Sequence, residues 1–71
     1  MDKRDAEVIL ALADNNMNES KTARVLYMHR NSIVYHTRKV KKVTGLDPTN
    51  FYDLHKLVQM INQSDVTTTI T

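Results

Sequence analysis

Cysteine and tryptophan are absent from this 71-residue chain, and glycine, proline and phenylalanine occur once each. Without cysteine there is no disulfide framework and no thiolate metal site. A single glycine excludes the glycine-rich loops that cradle phosphates or dinucleotides, and no serine stands in a nucleophile elbow. A sheet protein needs turn residues every few positions, so the shortage of glycine and proline argues for helices. No run approaches the roughly 18 apolar residues of a membrane span. The segment Met1-Asp2-Lys3-Arg4-Asp5 lacks a signal-peptide core, so a cytoplasmic location is expected. His29, His36 and His55 do not form the i, i+4 pair with a nearby carboxylate that zinc favours. Neither a metal, a cofactor nor an enzymatic activity is expected.

The most telling absence is of acid. From Ser20 to Lys42 there is no Asp or Glu, yet this stretch holds Lys21, Arg24, Arg30, Arg38, Lys39, Lys41 and Lys42 with two histidines. The flanking segments are net acidic, so a formal charge of +2 hides a polarised molecule. Self-repulsion opposes crowding like charges into one compact domain, and such a cluster implies a polyanionic partner, most commonly nucleic acid. A charge run alone is ordinarily a solvated face, so the pattern around it must carry the rest.

With 41% apolar and 25% charged residues the composition is globular. A chain this short buries only about 60% of its unfolded surface, so one domain with a marginal core is expected. The reading is all-α: a helix-turn-helix bundle of four helices over residues 1–62, with a disordered Ser/Thr-rich tail over 63–71. The first helix runs from about Asp5 to Asp14, with Ala6, Ile9, Leu10 and Ala13 on one face and Val8 and Leu12 widening it. Asn18 is the N-cap of a second helix, Glu19 to Leu26, which faces Thr22, Ala23 and Leu26 inward. The third starts near His29 or Arg30 and ends near Thr44, with Gly45 as the left-handed terminator. Its inward stripe is Ile33, Val40 and either Val43 or Thr44, interrupted by Thr37. Asn50 caps a fourth helix, Phe51 to about Asn62, whose Leu54, Leu57, Val58 and Ile61 supply much of the core. Phe51 and Met60 extend that stripe, making a homodimer through the fourth helix an expectation to test. Tyr27 and Met28 are read as turn and core packing.

Ala23 and Ile33 fix a helix-turn-helix register in which the third helix, about 30–44, enters a DNA major groove. His29, Arg30 and Asn31 are then the base-reading candidates, Arg30 suiting guanine O6 and N7 and Asn31 adenine N6 and N7. Ser32, Tyr35, Arg38, Lys39, Lys41, Lys42 and Lys21 are the candidates for the phosphate backbone.

The run Asn18-x-Ser20-Lys21-Thr22-Ala23-Arg24-x-Leu26-Tyr27-x-His29-Arg30-Asn31-Ser32-Ile33-x-Tyr35, followed by Thr44-Gly45-Leu46-Asp47, resembles the C-terminal helix-turn-helix domain of PucR-type bacterial regulators. That group includes regulators of purine catabolism and of sugar diacids, and its fold is similar to the Fis-type DNA-binding domain. The resemblance covers roughly Ala6 to Ile61. It departs from the family at Val34, where a basic residue is common, and at Thr37, where leucine is common. It implies that His29, Arg30, Asn31 and Tyr35 lie on the DNA face. It also implies double-stranded DNA as partner, and an effector-sensing domain in the parent chain of which this would be the output module. Two rivals stand beside this reading. One is an interaction module docking its basic helix on an acidic protein. The other is a basic helix lying on anionic lipid with Val34, Tyr35 and Val40 inserted.

Overall fold

A computed structural model of the chain describes the backbone of residues 1–70 and the side chains of residues 1–63. Four helices follow one another: α1 (Lys3–Asp14), α2 (Glu19–Val25), α3 (Arg30–Thr44) and α4 (Phe51–Ile70). Each begins where a side chain can accept an otherwise unpaired backbone N–H. Asp2 Oδ1 accepts the Asp5 N–H at 2.8 Å, and Asn18 Oδ1 accepts that of Lys21 at 2.9 Å. His29 Nδ1 accepts from Asn31 at 3.3 Å, and Asn50 Oδ1 from Asp53 at 3.1 Å. Gly45 ends α3 with φ +78°, where a Cβ would be strained. α4 continues past Asn62, where the sequence placed its end. The disordered tail expected over 63–71 falls, after Gln63, on residues whose side chains lie outside this description.

The two helix-to-helix turns share a hydrogen-bond plan. At the end of α1 the Met17 N–H returns to Leu12 O (2.8 Å), with Asn16 N–H to Ala13 O (3.3 Å). At the end of α2 the Met28 N–H returns to Ala23 O (2.8 Å), with Tyr27 N–H to Arg24 O (3.2 Å). These are the paired bonds of a Schellman termination, which needs a left-handed residue and places an apolar side chain just after it. Asn16 (φ 55°) and Tyr27 (φ 56°) take the left-handed position, and the methionines fold back on the core. Met28 therefore packs inside and Tyr27 stands at the turn, as expected, with Tyr27 97% exposed because the turn aims this position at solvent.

α1 is the central element, packing against the other three helices, while α2 and α3 pack against each other. Val8, Ala23 and Ile33 form one buried cluster where α1, α2 and α3 meet, and Ile9, Val40, Leu54 and Leu57 form a second between α1, α3 and α4. Fully burying one such aliphatic side chain contributes roughly 1.5–3 kcal/mol. The buried face of α1 is Asp5, Val8, Ile9 and Leu12. This face is rotated from the Ala6–Ile9–Leu10–Ala13 stripe read from the sequence, since Ala6, Leu10 and Ala13 are only half-buried. Thr37 fills its place in the seam of α3 without an unpaired hydroxyl, because Oγ1 donates to Val34 O at 2.8 Å. Thr44 rather than Val43 completes the inward stripe, since Val43 is exposed. Val40 is 1% exposed in the core and unavailable to a lipid surface. On α4, Phe51 and Met60 are exposed, and Phe51 borders an apolar groove of about 380 Å³ with Ala13, Met17, Leu54 and Val58.

Candidate nucleic-acid interface

The small Ala23 side chain (4% exposed) lets α2 cross closely over α3, and Ile33 (0%) fills the crossing. With Ile33, Thr37 and Val40 buried, the helical period fixes the opposite side of α3. Asn31, Tyr35, Arg38 and Lys42 lie about half a turn away from that stripe, and all four are exposed. No acid shares this outer row. Arg30, Val34 and Lys41 form one shoulder beside it. Together with Asn31 and Arg38, that shoulder borders an open groove of about 570 Å³, whose rim includes Glu19, Asp47 and Thr49. Ser32, His36 and Lys39 form the other shoulder, turned toward the start of α1. His29 caps the helix and is exposed, and Lys21 is exposed on α2.

The cations on α3 are in different electrostatic situations. Lys39 Nζ donates to Asp2 Oδ2 at 2.8 Å and lies 3.4 Å from Asp5 Oδ2. The Lys39 ammonium, helped by the Asp5 N–H, holds the Asp2 carboxyl down at about 2, and Asp2 in return raises the Lys39 amine above its ordinary value. Arg30 Nη2 donates to Glu19 Oε1 at 3.2 Å. Lys41 Nζ lies 3.6 Å from Asp47 Oδ2. The Asp47 carboxyl is held below the usual carboxylate range by bonds from the Thr49 hydroxyl and N–H, with a smaller contribution from Lys41. Among the described residues Arg38 and Lys42 have no ion-pair partner.

One cluster escaped the sequence reading. Asp5 is buried and lies 2.7 Å from His36 Nδ1, which donates if the carboxylate is ionised. It joins Asp2, Asp5, His36 and Lys39 into one polar patch between the first turn of α1 and the middle of α3. The available signal was the i, i+3, i+4, i+7 spacing of Asp5 with Val8, Ile9 and Leu12, which puts a carboxylate on the face of α1 that packs inward. Among the described residues no group of three or more His, Cys, Asp or Glu could hold a metal ion, and no helix is long and apolar enough to cross a membrane.

A short helix crossed over a longer one through a tight turn, both packed on a third helix, defines a helix-turn-helix domain. The sequence pattern of the PucR C-terminal helix-turn-helix domain matches residues 6–60, and the chain belongs to that family. It is accordingly a DNA-binding domain of the transcription-regulating kind. No curated protein and no solved structure matches the chain.

Proposed function

We propose that this domain binds double-stranded DNA sequence-specifically, with α3 in the major groove and its first turn against the base edges. The observation that carries the reading is the outer row Asn31, Tyr35, Arg38 and Lys42: exposed, free of acid, and on a helix whose other side is locked into the core. His29, Arg30 and Asn31 read bases, since the leading turn of such a helix goes deepest into the groove. Arg38, Lys42 and Lys21 meet phosphates directly, with Tyr35 and Ser32 as hydroxyl donors. Lys41 and Lys39 come later in that order, because each exchanges a carboxylate for a phosphate in doing so. In this reading the domain is the output module of a bacterial regulator, placed in the cytoplasm with its DNA. Two copies act as a homodimer on half-sites about one helical turn, roughly 34 Å, apart.

The test begins by selecting a preferred duplex from a randomised pool. Arg30→Ala is then expected to cost about 1–3 kcal/mol on that duplex and to relax preference at one base pair. Equal losses on selected and random duplexes would make Arg30 a phosphate contact instead.

A further inference from the structure

We infer that Glu19 is a positioning residue that sets the specificity of Arg30, an inference resting on the base-reading role just proposed. On charge alone Glu19 is misplaced. It is the last acid before the acid-free stretch, and it sits on the rim of the groove that the basic face of α3 borders. A carboxylate there repels phosphate, so a surface built only for polyanion affinity would lack it.

Its geometry gives it a different use. Glu19 opens α2 and Arg30 opens α3, and the crossing fixed by Ala23 and Ile33 brings these two first residues together across eleven positions of sequence. The Arg30 side chain is 59% exposed while that of Glu19 is only 24% exposed, so the acid is the fixed member and the guanidinium the one held. The contact uses Nη2 and a single carboxylate oxygen, Oε1. A guanidinium is a planar fork, so fixing one N–H of Nη2 limits the plane of the group, while the second N–H of Nη2 and a parallel N–H beside it stay free for a paired acceptor such as guanine O6 and N7. Held this way, Arg30 is restricted in turning aside to a neighbouring phosphate. Glu19 thus lowers affinity for duplexes without the matching base and preserves it for those with it, which is how a repulsive element contributes to specificity. Lys41 and Asp47 on the same rim are more loosely related, at 3.6 Å and with Lys41 62% exposed.

The experiment compares the ratio of affinities for the selected duplex and a random-sequence duplex, at several salt concentrations, across wild type, Glu19→Ala, Glu19→Gln, Arg30→Ala and the Glu19→Ala/Arg30→Ala pair. Glu19→Ala should tighten random-duplex binding and lower the ratio about tenfold. Glu19→Gln, which keeps an acceptor for the guanidinium, should recover part of that ratio although it lacks the charge. In the Arg30→Ala background, removing Glu19 should leave the ratio unchanged. Circular dichroism melts check that each variant remains folded. If Ala and Gln tighten both duplexes alike, Glu19 acts by repulsion only and the positioning role falls while base reading by Arg30 stands. If Arg30→Ala itself leaves the ratio intact, the base-reading assignment fails first and takes this inference with it.

Discussion

Two sides of one helix carry cations in different roles. Arg38 and Lys39 are adjacent in sequence, both cationic, and both within the acid-free stretch. Arg38 faces the open groove with Asn31 and Val34, whereas Lys39 faces α1, where Asp2 and Asp5 hold it. One helical step of about 100° separates a cation available to a ligand from one used inside the molecule. Net charge along a sequence therefore overstates the interface. What counts is charge left unpaired on the side of the helix that packing leaves free.

The comparison can be broken at its base by removing what fixes α3. Ile33 is wholly buried where α1, α2 and α3 meet, so Ile33→Ala should lose about 2–5 kcal/mol of stability. In so small a domain this is a large fraction of the total. Urea denaturation measures it, and DNA binding should fall with the folded fraction although no outward residue has changed. A loss below about 0.5 kcal/mol, the range of a surface substitution, would mean that the α2–α3 crossing is not held as described.

A more selective change affects one shoulder only. Asp5→Ala removes the carboxylate shared by His36 and Lys39, and should cost about 1–3 kcal/mol because a buried polar cluster loses its common acceptor. The groove side of α3 is untouched, so intrinsic affinity for DNA, corrected for the folded fraction, should change less than in Arg38→Ala. An affinity loss as large as that of Arg38→Ala would mean that the α1 shoulder also faces the DNA.

Local physics was readable in the sequence. Asn18, Gly45 and Asn50 act on groups within a few residues of themselves, so their roles as cap and terminator follow from residue type and spacing alone. Ala23 and Ile33 were readable because the crossing of two helices demands a small residue and an apolar one at a fixed interval. The Asp5–His36 and Lys39–Asp2 pairs were not, since they join residues 31 and 37 positions apart. Which acid meets which base over such a separation depends on how α1 rotates in the assembled core. Asp5 lies on the inward face of α1, and the apolar-only stripe drawn from the sequence passed beside it. Tyr27 and Met28 were readable as turn and core packing, while the full exposure of the Tyr27 side chain follows from the left-handed backbone of the turn.

The central claim is that the groove-side and outer rows of α3, rather than its total charge, bind DNA. The salt dependence of duplex binding tests it most directly, compared for wild type, Arg38→Ala and Lys39→Ala. Each phosphate neutralised contributes about −0.9 to the slope of log affinity against log salt. Arg38→Ala should flatten the slope by about one, and Lys39→Ala should change it by less than half as much. Equal flattening by both variants, or a larger effect from Lys39, would contradict the division of the helix. Tight capture of an acidic protein with no salt-dependent duplex binding would contradict the DNA reading itself.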